Sequence, residues 1–346
     1  MKNKIYFVCP NNNHATGGVK QIYRQVETLN KNGFDAYILH KKNGKKDNWF
    51  NMNVPIVYSP FIFKKLKYLY LGKKINFFKK LQFDILKKYS EKIEKNAILV
   101  FPEIYGPRIH EIEPATNKVI FNQNCYYTFN YYSMMENYDV TPYNHSNTLA
   151  TIVASEDAKK YLDYAFASSK ILKMRLGIDQ NIFSFSSNKE KQICFMPRKL
   201  GDDVNQVINI LKQRNSLKGW TIVPVDNKTE LEVANLMKKS VFFLSFNYKE
   251  GFGLPPVEAM SCGCYVIGYR GQAGKEYFKP EFSTPVEDGD IIEFVKKIEE
   301  MIKSYEKNPQ EVLEKGKLAS IFVSENYSLE NEEKDTLNIW NEISPN

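Results

Sequence analysis

Short apolar runs alternate along this chain with longer stretches in which apolar residues recur every three or four positions. The first run, Ile5–Cys9, leads into a polar loop from Pro10 to Gly18 and then an amphipathic stretch over Val19–Asn32 that Gly33 closes. Further strand-like runs lie at Ala36–His40, Ala97–Phe101, Lys118–Asn122, Thr151–Ala154, Gln192–Met196, Trp220–Val225, Val241–Leu244 and Tyr265–Gly268. Helical patterns fill Ser155–Phe166, Asp203–Arg214, Lys228–Lys238, Pro256–Ser261 and Asp290–Ser304. This alternation predicts α/β architecture with parallel sheets covered by helices. A turn-rich stretch at Leu176–Gln180 divides the chain. We expect two Rossmann-like doubly wound domains, 1–180 and 181–325, with a ligand cleft between the C-terminal ends of their sheets. A helix over 326–346 is expected to cross back to the first domain.

The length of 346 residues fits two domains. No apolar run approaches the roughly 18 residues of a membrane span, and the apolar start is too short for a secretory signal. Cysteines 9, 125, 194, 262 and 264 show no paired spacing, so neither a disulfide framework nor a zinc site is expected, and a reducing cytoplasmic setting is. Net charge is +8, but residues 41–95 alone hold 15 Lys against 4 acids, so the remainder of the chain is slightly acidic. That excludes a uniformly basic nucleic-acid coat and leaves one docking patch for an anionic partner. Within 61–95, Lys73, Lys80 and Lys87 recur every seven residues opposite Phe78, Ile85 and Tyr89. This reads as one basic amphipathic helix, either a solvated face or a peripheral contact with an anionic membrane.

The most informative segment runs from Val241 to Gly268: strand, glycine-bearing loop, helix, strand. Gly251 and Gly253 let backbone approach a ligand closely, and Pro255 or Pro256 suits a first helical turn. The helix N-terminus then faces the loop, where N–H groups and the positive dipole end form an anion site. Glu250 on the loop and Glu258 one turn into the helix would repel a phosphate unless each is used on hydroxyl groups, such as those of a sugar or a ribose.

Glu250-Gly-Phe-Gly-Leu-Pro-Pro-Val-Glu258-Ala-Met, with the following Cys-Gly and Val-Ile, resembles the E-x7-E motif of the family 4 glycosyltransferases, retaining enzymes of the GT-B fold. Gly17-Gly18 resembles the family's diphosphate-side glycine loop, Ile152–Glu156 its strand-Ser-Glu element, Gly177-Ile-Asp179 with Phe183 its interdomain linker, and Gly271–Gly274 with Glu276 its last glycine turn. The resemblance implies that Glu258 holds ribose hydroxyls and Glu250 contacts the donor sugar. It implies that backbone amides of Phe252, Gly253 and Leu254 hold sugar or phosphate oxygens. Arg198 and Lys199 resemble the family's cationic diphosphate clamp. There the family separates an Arg from a Lys, whereas here they are adjacent and Asp202-Asp203 follow, which leaves open which cation does the work. On the N-terminal side the family's histidines are missing, and Glu103, Gln123 and Asn124 are the candidates for sugar or acceptor recognition.

A departing nucleoside diphosphate needs its developing charge held, and two cations with a helix N-terminus supply that. The resemblance implies same-face attack with the departing phosphate taking the acceptor's proton, so no nucleophile triad is expected. No cofactor and no metal is expected, the nucleotide-diphosphate sugar being a co-substrate. Asp288-Gly-Asp290 mimics a D-x-D metal motif but precedes a helix, where Asp290 reads as an N-cap. The leading expectation is a retaining glycosyltransferase acting on a surface-glycan or lipid-linked acceptor. Alternatives are a DNA glycosyltransferase acting on a hydroxymethylated base, with the basic helix on phosphates, and a non-catalytic nucleotide-sugar-binding protein. The Cys125–Tyr132 aromatic cluster reads as core or cleft wall. Of the four histidines, only His14 falls near the expected cleft.

Overall fold

The apolar runs become strands whose ends lie within a few residues of where the pattern places them. The computed structural model describes residues 3–11, 16–42 and 52–344; His14 and the middle of the Pro10–Gly18 loop lie outside them. The chain divides into two units, one of Met1–Met174 with Glu333–Asn346 and the other of Arg175–Glu332.

The first unit contains β1 (Lys4–Val8), α1 (Gly17–Lys31), β2 (Asp35–His40), β3 (Ile56–Tyr58), α2 (Pro60–Tyr70), α3 (Phe77–Lys88), β4 (Ile98–Pro102), β5 (Asn117–Asn122), β6 (Thr148–Val153), α4 (Glu156–Ala165) and β7 (Ile171–Lys173). Its sheet is wholly parallel, in the order β3-β2-β1-β4-β5-β6-β7. Because the winding direction reverses between β1 and β4, the loops after those strands open the position where such sheets bind ligands. Ile5, Tyr6, Phe7 and Val8 are all buried, as expected of a central strand covered on both faces. On one face Trp340 packs on Phe7, ring centroids 5.7 Å apart; on the other, Phe61, Leu66 and Leu69 of α2 join Tyr6, Leu99 and Phe101 in one core.

The 61–95 segment departs from the expected single helix. Two helices form, α2 and α3, separated by a turn in which Gly72 takes φ +64° and Asn76 caps α3 by accepting from the Lys79 N–H at 3.0 Å. Lys73 therefore lies in the turn, and the seven-residue lysine stripe is not one helix face. α3 contributes Phe83 to the core, while Phe78, Ile85 and Tyr89 point outward and are exposed.

The second unit contains β8 (Glu190–Phe195), α5 (Gly201–Gln213), β9 (Thr221–Pro224), α6 (Glu230–Lys239), β10 (Ser240–Ser245), α7 (Leu254–Ser261), β11 (Tyr265–Tyr269), β12 (Ser283–Val286), α8 (Ile291–Lys307) and α9 (Pro309–Asn326). The sheet order is β12-β11-β10-β8-β9, again all parallel, with its switch point between β8 and β10. α9 escapes the sequence pattern because its buried residues include Gly316 and Ala319 among Val312 and Val323. Small size is required there: a Cβ on Gly316 would lie 2.3 Å from the Gly263 carbonyl oxygen.

α10 (Leu329–Ile343) begins in the second unit and ends in the first. Gly177 packs under its start, where an added Cβ would lie 2.8 Å from the Ser328 carbonyl, and the buried Glu332 carboxylate accepts the Gly177 N–H at 2.6 Å. Among the described residues no helix is long and apolar enough to cross a membrane.

Candidate active site

In the second unit the candidate residues gather at the switch point. β8 ends at Phe195, and the loop after it carries Arg198 and Lys199 into α5. β10 ends at Ser245, and the loop after it carries Glu250. Because β8 and β10 are paired neighbours, the two loops meet. Lys199 Nζ forms an ion pair with Glu250, and Asn247 donates its side-chain amide to the same carboxylate. Asn247 is a functional candidate that the sequence reading missed. Its signal was its place between the end of the strand and Glu250. Arg198 turns aside and pairs with Asp226 beyond β9, at 3.1 Å, so the adjacent cations have separate partners.

Burial, reinforced by the neighbouring Arg198 charge, pushes the Lys199 ammonium below the usual lysine range. About half of its side chain is exposed. Asp202 and Asp203 occupy the first turn of α5, where the helix dipole favours acids.

Gly253 caps α7 with φ +91°, a conformation that costs little only for glycine. It is also crowded: a Cβ would lie 2.5 Å from the Tyr277 hydroxyl, which donates to the Phe252 carbonyl at 2.8 Å. Tyr277 thus clamps the glycine loop from the far side, a role with no local sequence signal. Leu254 is the first helical residue and Pro255 and Pro256 follow it. The prolines remove two of the donors that a helix N-terminus normally offers. The anion site expected here reduces to the Gly253 and Leu254 N–H groups, which make no hydrogen bond among the described residues. Glu258 lies one turn further along, half-buried.

Asp290 is the N-cap of α8, accepting from the Glu293 N–H at 2.9 Å, and Asp288 accepts the Gly271 N–H at 3.2 Å. Both carboxylates therefore hold backbone. Among the described residues no group of three His, Cys, Asp or Glu side chains is arranged to hold a metal ion.

In the first unit the candidates form their own cluster at the C-terminal edge of the sheet. Gly17 and Gly18 open α1. A Cβ on Gly18 would lie 3.2 Å from Gln123 Oε1, so the glycine lets the Gln123 side chain lie against the helix start. Gln123 and Asn124 donate their backbone N–H groups to Glu103 at 3.0 and 3.2 Å. Glu103 is buried, and burial pushes its carboxyl up to about 7. Both its oxygens hold the loop, so Glu103 positions Gln123 and Asn124. The Asn124 side chain accepts from the Tyr126 N–H at 3.1 Å, while the Gln123 side chain is half-buried. His40 is tied up with the Tyr23 hydroxyl at 2.7 Å and the Cys9 carbonyl at 2.9 Å.

Residues 144–318, just over half of the chain, match the family described as glycosyl transferases group 1. The chain belongs to that family. It is a glycosyltransferase, and the E-x7-E segment and the Arg198-Lys199 turn lie inside the matched span. An α-1,6-glucosyltransferase of Actinobacillus pleuropneumoniae serotype 7 is 25% identical over 278 residues, which are 77% of this chain and 72% of that protein. Among solved structures, the sucrose-phosphate synthase of Thermosynechococcus elongatus superposes with a TM-score of 0.69 at 12% identity, covering 99% of both chains. The pneumococcal O-GlcNAc transferase GtfA, solved with UDP and GlcNAc, gives 0.67 at 11%, again over 99% of both. At such identities the likeness speaks to fold, which is GT-B.

Proposed function

We propose that this glycosyltransferase moves a sugar from a nucleoside-diphosphate sugar to a hydroxyl of a surface-glycan or lipid-linked acceptor, with retention at the anomeric carbon. The observation that carries the reading is the Lys199–Glu250 pair at the β8/β10 switch point, beside the Gly253–Leu254 N–H groups. A cation and a carboxylate already paired in a ligand crevice are the two groups a sugar diphosphate needs separately. Lys199 takes the diphosphate and Glu250 takes a sugar hydroxyl, so the donor exchanges one ion pair for two charge-assisted contacts. Arg198, once drawn from Asp226, adds the second positive charge. As the bond to the anomeric carbon breaks, negative charge grows on the leaving phosphate, and preorganised cations stabilise that state more than the ground state. The acceptor attacks from the same face, and its proton passes to the departing phosphate oxygen. Glu258 holds the ribose hydroxyls, and in the first unit the half-buried Gln123 side chain offers its amide to the acceptor.

The α-1,6-glucosyltransferase relative and the UDP complex of GtfA support a UDP-hexose as the first donor to try. A panel of nucleotide sugars, with hydrolysis and binding read by mass spectrometry, tests the reading. Glu258→Gln should weaken donor binding by about tenfold with turnover kept, and Glu250→Ala should lower turnover with binding kept. Full activity in both variants with the accepted donor would overturn the assignment.

A further inference from the structure

Amphipathic surface helices place their apolar residues on the core side. α3 has two apolar faces. Phe83 and Leu86 pack against the core, while Phe77, Phe78, Leu81, Ile85 and Tyr89 lie on the opposite side, exposed by 76%, 79%, 52%, 50% and 78%. Spacings of three and four residues bring these five side chains onto one strip of the helix and its C-cap. Between Leu71 and Lys92 the chain carries seven lysines against Asp84 and Glu91. Lys79 packs its ammonium over Tyr68 at 4.7 Å and Lys87 pairs with Glu113 at 2.7 Å, whereas Lys74, Lys80 and Lys88 make no ion pair among the described residues. On the helix circumference Lys80 and Lys87 lie beyond the Phe77 edge of the apolar strip, Phe78, Ile85 and Tyr89 lie toward its other edge, and Lys88 falls within the strip between Phe77 and Leu81.

We infer that α3 is a membrane-docking helix, lying in the plane of an anionic bilayer with its outward aromatic and aliphatic strip among the acyl chains and its lysines at the phosphates. Charge decides between the possible occupants. A second copy meeting α3 across a two-fold axis would set the same lysine row against itself. A nucleic acid would answer the lysines but leave Leu81 and Ile85 in water. An anionic lipid surface satisfies both, through apolar burial and attraction to headgroups. The inference goes beyond the reaction proposed above, and its test needs no turnover.

Flotation of the full chain should show binding to vesicles of phosphatidylcholine with phosphatidylglycerol and weak or no binding to phosphatidylcholine alone. Phe77→Ser, Phe78→Ser and Ile85→Ser combined should cut binding by about tenfold or more, since each replaces a membrane-seeking side chain. All three positions are exposed, and an unchanged circular dichroism melt checks the fold. Lys80→Glu with Lys88→Glu should weaken binding mainly at low salt, because screening already removes much of their effect at high salt. A Phe78→Trp probe should shift its emission to the blue with anionic vesicles, a change that adsorption by charge alone would not give. Three results would each overturn the inference. They are no binding to anionic vesicles, binding that survives the triple variant, and vesicle-free self-association or duplex-DNA binding that the triple variant abolishes while vesicle binding stays.

Discussion

The two units place their candidate residues at equivalent points, the C-terminal edge of a parallel sheet beside its switch point, but they use different chemistry there. In the second unit the groups are charged side chains held half in water: Lys199 against Glu250, Arg198 against Asp226. In the first they are neutral amide side chains, on a loop whose backbone N–H groups are held by the buried carboxyl of Glu103 beneath it. Charges poised for exchange suit a ligand that carries its own charge and leaves with more. A neutral surface held from below suits hydroxyl groups, where shape and hydrogen-bond direction decide. Under the reaction proposed above, the charged site would take the donor and the neutral one the acceptor.

The largest effect should come from the charged side. Lys199→Ala should lower turnover by about 10²–10³-fold, the range seen when one stabilising group is removed from a developing anion. Arg198→Ala should cost less, because Asp226 holds that cation in the resting enzyme. Equal losses in steady-state rate would break the distinction between the two cations. Next comes the buried carboxyl. The folded protein binds the Glu103 proton more tightly than the unfolded chain does, so this group's contribution to stability falls as pH rises between about 4.5 and 7. The displacement corresponds to about 3 kcal/mol. Thermal melts of the wild type should weaken across that window, and those of Glu103→Gln should be flatter, offset by one mismatched N–H contact. Parallel curves would show that Glu103 stays ionised throughout.

Smaller still, Gly18→Ala should leave the melting temperature unchanged or raise it slightly, since alanine suits a helix better by up to about 1 kcal/mol. Its methyl would push the Gln123 side chain away, and activity should fall several-fold. An unchanged rate would remove Gln123 from the sugar side. The smallest expected effect is none: rates should survive a chelator, because Arg198, Lys199 and the N–H groups at α7 supply the positive field. Abolition by EDTA with rescue by manganese or magnesium would instead bring Asp288 and Asp290 back as ligands.

How far the sequence could be read follows the same division. The Val241–Gly268 segment was legible because everything it does is local: an apolar run, a glycine forced to positive φ, prolines at a helix start. The pairing of Lys199 with Glu250 was not, since it depends on β8 lying beside β10 across the intervening β9 and α6. Nor was the work of Glu103, whose partners are backbone groups after another strand. β3, β7 and β12 are too short to show a period, and α9 hides its inner face in Gly316 and Ala319. In 61–95 the seven-residue lysine spacing starts at Lys73, in the turn after Gly72 and outside α3, and it concealed that α3 has an apolar face the core does not use.

The path of α10 bears on how the chain is made. The second unit is one uninterrupted stretch, Arg175–Glu332, whereas the first is split by it. Trp340, fully buried against Phe7, and Thr336, which accepts from Gln25 at 3.0 Å, arrive more than three hundred residues after their partners. On the ribosome the second unit can therefore close while the first still lacks part of one face. Until Glu333–Ile343 emerges, Phe7 has no indole to cover it, and that sheet face stays open to water.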